Sequence, residues 1–141
     1  AQHARLTRGI KIQATGVFAV GETKLVDACS SIDDTLVLVG SSMGGHVATA
    51  AAASVGAAGL FVLAPAYYMP GYEDLTPTPP DIPVAIVHGW RDDVVPVENS
   101  IRFARECAAT LFILDGDHRL TANIEEINRE LAAFIDSLGI H

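Results

Sequence analysis

Short, continuous apolar runs alternate along this chain with longer segments in which apolar residues recur every three or four positions. Apolar runs of about four to eight residues bounded by turn residues are typical of buried strands. The pattern therefore predicts strands at Ile10–Ala14, Thr35–Val39, Gly59–Ala64, Pro83–His88 and Thr110–Leu114.

The segments between these runs have the spacing of amphipathic helices. Helices are predicted at Ala1–Arg8, Glu22–Ile32, Met43–Ser54, Glu98–Ala108 and Thr121–Leu138. Gly16–Gly21 is interpreted as a connection, Asp33-Asp34 as a turn, and Thr121 as the N-cap of the last helix. The buried stripe of that helix is predicted to consist of Ile124, Ile127, Leu131, Phe134, Ile135 and Leu138.

Alternation of strands and helices predicts an α/β fold, with a mostly parallel sheet flanked by helices on both faces. The length of 141 residues fits a single domain spanning 1–141. Half of the residues are hydrophobic and the mean hydropathy is +0.32, which suits a sheet covered on both faces. Pro65–Asp81 is a long connection rich in proline and tyrosine, of a kind that is usually functional.

The net charge of −8 argues against two classes of partner. Phosphate contacts need clustered Lys and Arg, so nucleic acid is not expected, and an anionic membrane surface is disfavoured for the same reason. No apolar run approaches the roughly 20 residues of a membrane span. Cys29 and Cys107 suggest no disulfide framework, and with no signal-peptide pattern we expect a cytoplasmic protein.

The segment from Leu36 to Gly45 carries the strongest chemical signal. A strand-like run ends in Gly40-Ser41-Ser42-Met43-Gly44 and is followed by a helix-like segment. A Gly-x-Ser-x-Gly turn between a strand and a helix can hold its serine in a strained conformation with the hydroxyl exposed. The glycines on both sides are expected to avoid collisions across the tight turn. The spacing selects Ser42, and an ordinary Gly/Ser turn is the less favoured interpretation.

Three predicted strands end in reactive side chains. Ser42 follows the second strand, Asp92 and Asp93 follow the fourth, and His118 follows the fifth. Functional groups gather beyond the carboxyl ends of the strands of an open α/β sheet. A serine nucleophile needs a base, and that base needs a carboxylate to orient it, so these residues predict a Ser-His-Asp triad. The order Ser, Asp, His is the one associated with the nucleophile elbow.

From about Ile10 onward the chain resembles a small α/β-hydrolase of the compact bacterial esterase type, with little or no cap. The matching segments are Gly40–Gly45, His88–Pro96 and Asp117–Arg119. The resemblance implies Ser42 as nucleophile, His118 as base and the first aspartate, Asp92, as acid, with Asp93 as the competitor. It also implies that the Met43 N–H is one donor of the oxyanion hole.

The resemblance is incomplete at the N-terminus. The family takes its second oxyanion donor from a loop after an earlier strand, and no such strand precedes Ala1. We therefore expect an α/β-hydrolase-like fold that lacks the N-terminal strands, either because a piece of the natural protein is absent or because the protein is a rearranged or inactive relative. Ala1–Arg8, which looks like the end of a helix, favours the first explanation.

The remaining candidates have a functional and a structural interpretation. Tyr67, Tyr68 and Trp90 either form an apolar wall for the substrate or cover the core. His88 is expected to have a supporting or buried role at a strand end, and His46 to pack beneath the elbow. No metal site is predicted because the histidines lack paired ligand spacing, and no phosphate-binding or dinucleotide motif indicates a cofactor.

The favoured hypothesis is a serine hydrolase that cleaves a small carboxylic ester or thioester through an acyl-enzyme. The alternative is a catalytically inactive α/β-hydrolase-like binding or scaffold protein. A hydrolase of amide or carbon–carbon bonds could use the same triad, because the fold does not determine the substrate.

Overall fold

The structure, a computed structural model, describes residues 18–32 and 34–139. The elements predicted at Ala1–Arg8 and Ile10–Ala14 lie outside these residues, as does Asp33. Strands within the described part are β1 (Val37–Ser41), β2 (Gly59–Leu63), β3 (Val84–Gly89) and β4 (Thr110–Leu114). Helices there are α1 (Phe18–Cys29), α2 (Met43–Ala51), α3 (Val97–Cys107) and α4 (Ile124–Ser137), with 3₁₀ turns at Glu73–Leu75 and Thr121–Asn123.

The four strands form one sheet in the order β1-β2-β3-β4, and every neighbouring pair is parallel. Parallel pairing brings all four carboxyl ends to the same edge of the sheet. The central strands β2 and β3 are almost entirely buried, which explains why their sequences are continuous apolar runs rather than alternating ones. The predicted parallel α/β sheet is confirmed.

Helices cover both faces of the sheet, as predicted. On one face, Leu38, Leu60 and Ile86 pack in a cluster with Ala48 of α2 and Phe103 of α3. The other face carries a second cluster in which α4 packs on the central strands, formed by Phe61, Ala85, Val87, Leu120 and Ile127 with Leu131 and Phe134 at its margin. The sheet is therefore packed between two apolar layers, one on each face.

Two boundaries near the start differ from the prediction. Helix α1 begins at Phe18, so most of the segment interpreted as a connection is helical. Strand β1 runs to Ser41, two residues further than predicted, because the parallel register with β2 continues to the pair Ser41–Leu63. The strand therefore reaches directly to Ser42.

The start of the last helix also differs. Thr121 begins a 3₁₀ turn and is not the N-cap of α4, which follows Asn123. Ile124 is 53% exposed and does not belong to the buried stripe, because Leu120 and Asn123 occupy the buried positions at this end of the helix. The predicted stripe reaches the core from Ile127 onward.

Candidate active site

Ser42 lies at the turn between β1 and α2, in a strained backbone conformation. Its φ of 54° and ψ of −120° are unusual for a residue with a side chain, and such strain costs about 1–3 kcal/mol. The surrounding backbone holds this conformation: the Ser42 N–H donates to the Leu63 carbonyl at 2.9 Å, and the Ser42 carbonyl accepts from the Ala66 N–H at 2.9 Å. Strained residues of this kind are typical of functional sites.

A close backbone approach makes Gly40 necessary. A Cβ on Gly40 would lie 2.3 Å from the carbonyl oxygen of Gly44, so only glycine fits. The expectation for Gly44 is wrong, because a Cβ there would meet nothing within 4 Å, apart from its own helix and chain neighbours. The second crowded position is Gly45, where a Cβ would lie 3.0 Å from Cβ of Pro65.

Met43 is the first residue of α2 and directly follows Ser42. The first N–H groups of an α-helix have no partner within the helix. They also carry the positive end of the helix dipole, which favours negative charge nearby. The Met43 N–H therefore lies next to Ser42 at the positive end of the α2 dipole.

Asp92 lies in the loop after β3, with its side chain fully buried. Its Oδ1 accepts hydrogen bonds from the Val94 and Val95 N–H groups, each at 2.8 Å. Its Oδ2 lies 2.7 Å from Nδ1 of His118. Burial acts to raise the pKa of Asp92, but the hydrogen bonds from His118, Val95 and Val94 outweigh it and leave the pKa below its usual value. Asp92 is held as a carboxylate.

His118 lies in the loop after β4 and joins the other two side chains. Its Nδ1 faces Asp92, and its Nε2 lies 3.0 Å from Oγ of Ser42. The neighbouring Asp117 is a turn residue, because its Oδ1 accepts the N–H groups of Arg119 at 3.1 Å and Leu120 at 3.0 Å. The structure thus brings Ser42, His118 and Asp92 into one hydrogen-bonded row, while Asp93 is exposed.

The loops that carry Asp92 and His118 are packed against each other. The Trp90 N–H donates to the Leu114 carbonyl at 2.9 Å, and the Arg91 N–H donates to the Gly116 carbonyl at 3.0 Å. A Cβ on Gly89 would lie 2.2 Å from the Gly116 oxygen, so this approach requires glycine. Backbone contacts therefore set the spacing between Asp92 and His118.

Tyr67 does not line the site, which corrects the interpretation of it as part of a substrate wall. Its side chain is fully buried, stacks on Phe103 with ring centroids 4.0 Å apart, and contacts Thr49 Oγ1 through its hydroxyl at 2.5 Å. Burial raises the pKa of Tyr67 well above its ordinary value. The structural interpretation of Tyr67 as a core residue is the one the structure supports.

Tyr68 and Trp90 have different surroundings. Tyr68 is partly buried against α3, where the Arg102 guanidinium lies 3.8 Å from the ring centroid in a cation–π arrangement. Trp90 is 60% exposed and lies two residues before Asp92, in the same loop. Of the three predicted wall residues, Trp90 is the one whose side chain is both open to solvent and close in sequence to the site.

His46 and His88 are both buried. Nε2 of His46 lies 3.1 Å from the Leu75 carbonyl oxygen, and burial lowers the pKa of His46 despite this hydrogen bond. Nε2 of His88 lies 3.1 Å from Oδ2 of Asp92, a contact that the sequence analysis missed. The four-residue spacing of His88 and Asp92 across the end of β3 could have indicated this contact. Nothing in the sequence indicated that Ser100 is the other side-chain partner of His88.

No group of three or more potential metal ligands occurs among residues 18–32 and 34–139. In the same part of the chain, no helix is both long and apolar enough to span a membrane.

Comparisons with known proteins agree with this architecture. Residues 20–136 match the family model described as an alpha/beta hydrolase domain. Among solved structures, the chain is 26% identical to a protein of Xanthomonas campestris assigned to the alpha/beta hydrolase superfamily, with a TM-score of 0.78 over 85% of this chain and 69% of that one. Comparison with curated protein sequences found no match.

Two further solved structures share the fold at lower identity. A Xanthomonas campestris α/β serine hydrolase without a lid is 20% identical, with a TM-score of 0.75 over 92% of this chain and 62% of that one. A Pyrococcus furiosus esterase is 17% identical, with a TM-score of 0.67 over 85% of this chain and 60% of that one. These two similarities show the fold. The match over residues 20–136 and the 26% identical structure support a hydrolase, and that match shows that the chain belongs to the alpha/beta hydrolase domain family.

Proposed function

We propose that this protein is a serine hydrolase that cleaves a small carboxylic ester or thioester through an acyl-enzyme. One observation carries the proposal: Ser42 Oγ, His118 Nε2, His118 Nδ1 and Asp92 Oδ2 form a continuous row with hydrogen-bond distances of 3.0 and 2.7 Å. Membership of the α/β-hydrolase family and the similarity to an esterase of Pyrococcus furiosus support it.

In the first step, Oγ of Ser42 attacks the carbonyl carbon of the substrate while His118 Nε2 takes the hydroxyl proton. Asp92 accepts the Nδ1 hydrogen of His118, which keeps the lone pair of Nε2 directed at Ser42 and stabilises the imidazolium that forms. The negative charge develops on the former carbonyl oxygen. The Met43 N–H donates to that oxygen as one member of the oxyanion hole.

In the second step, the bond between the carbonyl carbon and the leaving oxygen or sulfur breaks. His118 gives its proton to the leaving group, which departs as an alcohol or thiol and leaves the acyl group on Ser42. Water then attacks the acyl carbon and transfers a proton to His118. Collapse of this second intermediate releases the carboxylic acid, and the proton returns to Ser42 Oγ.

Trp90 is proposed to contact the apolar part of the substrate. Its 60% exposure and its place in the loop that carries Asp92 leave its ring open to a ligand. Tyr68, which packs against α3, is the weaker candidate because Arg102 covers one face of its ring. Contact with Trp90 would favour small esters whose acyl or aryl group is apolar.

The direct test is Ser42→Ala with Ser41→Ala as the matched control, because Ser41 ends β1 beside the elbow and is exposed. Removing the nucleophile should lower the turnover of a short-chain nitrophenyl ester by a factor on the order of 10⁴ or more. The control should retain turnover. Unchanged turnover in Ser42→Ala contradicts the proposal.

Labelling with a fluorophosphonate probe distinguishes the alternative, a catalytically inactive binding or scaffold protein. Only a serine activated by its base reacts rapidly with such a probe. We expect labelling of the parent protein and of Ser41→Ala, and none of Ser42→Ala. A parent protein that neither reacts with the probe nor turns over esters would favour the inactive binding protein.

A further inference from the structure

His88 is the penultimate residue of β3, and its ring is completely buried behind Asp92. Three polar groups surround it. Its Nδ1 lies 2.6 Å from Oγ of Ser100, and its Nε2 lies 2.9 Å from the Val95 carbonyl oxygen and 3.1 Å from Oδ2 of Asp92. The ring therefore lies between Asp92, the acid of the proposed triad, and Ser100 of α3.

The surroundings determine which ring nitrogen carries the hydrogen. The Val95 carbonyl oxygen can only accept, so Nε2 of His88 must be the N–H donor. In the neutral ring, Nδ1 then has a lone pair and accepts the hydroxyl hydrogen of Ser100, which is itself fully buried. Ser100 thus stabilises the tautomer that directs an N–H towards the Val95 oxygen, at a position 3.1 Å from Oδ2 of Asp92.

The Nε2–H of His88 donates to the Val95 carbonyl oxygen and lies beside Oδ2 of Asp92, the less fully bound of the two carboxylate oxygens. Oδ1 of Asp92 already accepts the two backbone N–H groups of Val94 and Val95. Oδ2 has the single hydrogen bond from His118 and the nearby Nε2–H of His88. The positive end of that N–H stabilises charge on Oδ2 and opposes rotation of the carboxylate away from His118.

We infer that His88, oriented by Ser100, is a positioning residue that keeps Oδ2 of Asp92 aligned with His118. The inference rests on the proposed function, since the alignment matters when His118 acts as a base. His88 touches neither the substrate nor Ser42 in this role. It acts through Asp92. Hydrogen-bond partners orient metal-coordinating and catalytic side chains in the same way in other sites.

The variants His88→Leu and His88→Gln test the inference. Leucine removes the donor, whereas glutamine keeps an N–H on a side chain that can reach Asp92. His88→Leu should lower kcat for a nitrophenyl ester about 10–100-fold with little change in KM, a size typical of lost supporting partners. His88→Gln should recover most of that loss. Equal losses in both variants, or no loss in either, would overturn the inference.

Ser100→Ala provides a milder test that leaves the ring in place. It removes the hydroxyl that holds the tautomer, so kcat should fall by less than in His88→Leu. Thr49→Val is the matched control, because Thr49 Oγ1 also makes buried hydrogen bonds, to the Gly45 carbonyl at 2.7 Å and the Tyr67 hydroxyl at 2.5 Å. An equal fall in kcat in the control would show a general effect of a lost buried hydrogen bond and would overturn the inference.

A spectroscopic readout separates this inference from the proposed function. In a proton NMR spectrum, the Nδ1 hydrogen of His118 should give a downfield signal because it is hydrogen-bonded to the Asp92 carboxylate. This signal should move upfield or broaden in His88→Leu and stay near the parent position in Thr49→Val. An unchanged signal in His88→Leu overturns the inference, whereas a parent protein with no esterase activity would contradict the proposed function alone.

Discussion

Nε2 of His118 lies 3.0 Å from Oγ of Ser42, although the two residues are 76 positions apart in the chain. Neither residue belongs to the body of a strand. Ser42 follows β1, and His118 lies in the loop after β4, at opposite edges of the described four-stranded sheet. Because all four strands are parallel, their carboxyl ends lie on the same side of the sheet. The loops that follow β1 and β4 can therefore meet above the two central strands.

Asp92 and Asp93 should differ sharply in their effect on turnover. Asp92→Asn removes the carboxylate that orients His118, and the corresponding change in a serine protease lowers kcat about 10⁴-fold. Asp93 is exposed, so Asp93→Asn should stay within a few-fold of the parent protein. Steady-state kinetics with a nitrophenyl ester measures both. Similar losses in the two variants would contradict the assignment of Asp92.

Gly40 and Gly44 should differ in their tolerance of a methyl group. Gly40→Ala places Cβ 2.3 Å from a backbone oxygen, and overpacking of this kind costs about 1–3 kcal/mol of unfolding free energy. Gly44→Ala meets nothing within 4 Å outside its own helix and chain neighbours. Its unfolding free energy should be unchanged or higher by up to about 1 kcal/mol, because alanine favours a helix more than glycine does.

Urea unfolding followed by far-UV circular dichroism measures this pair of variants. If Gly44→Ala were destabilised more than Gly40→Ala, the identification of Gly40 as the crowded glycine would be wrong.

Tyr67 and Trp90 should show opposite effects on stability and substrate binding. Tyr67→Phe removes a buried hydroxyl bonded to Thr49, so the protein should lose about 1 kcal/mol of stability with no change in KM. Trp90→Ala removes a ring that is 60% exposed, so the melting temperature should change little. Its KM should rise for esters with aryl or longer acyl groups.

Thermal unfolding and the KM values for a series of esters measure both variants. A change in KM in Tyr67→Phe, together with none in Trp90→Ala, would reverse the roles that we assign to them.

The stability of the fold should decline as the pH falls below about 6.5, the ordinary pKa of histidine. Burial lowers the pKa of His46 in the folded protein, so below that pH the unfolded chain binds more protons at this position than the folded one. The stabilisation is complete above the unfolded pKa and is lost as the pH falls towards the folded pKa.

His46→Gln is the variant that tests this dependence. Glutamine does not titrate and keeps an N–H that can reach the Leu75 carbonyl oxygen. Unfolding free energies from urea titrations between pH 7.5 and 5 should therefore fall less steeply in His46→Gln. Parallel slopes for parent and variant would exclude His46 as the source.

The sequence alone was sufficient for features that depend on local spacing. Continuous apolar runs separated by helical periodicity predict parallel strands, because strands buried on both faces have no polar side to show. The positions of Gly40 and Ser42 after such a run predict the elbow, since few other backbones combine those residue types at that spacing. The order of a serine, an aspartate and a histidine at three strand ends follows from the same reasoning, with both Asp92 and Asp93 open as the aspartate.

Local patterns failed in two situations, where an adjacent turn changes the start of a helix and where a residue distant in sequence decides burial. Thr121 has the composition of an N-cap, but the 3₁₀ turn that it begins moves the start of α4 to Ile124. Tyr67 and Trp90 are both aromatic residues in connections, yet Phe103 of α3 buries the first and no comparable cover buries the second.

At the elbow around Ser42, too, the sequence determined some features and tertiary structure decided others. Its sequence determined which serine occupies the strained turn, because that depends on a few adjacent residues and their steric limits. Tertiary structure alone decided that Gly45 rather than Gly44 is crowded and that His88 lies behind Asp92. It also brings Asp92, the aspartate that the family resemblance favoured over Asp93, to His118. Each of these depends on distances between loops, which the packing of four strands and their helices sets.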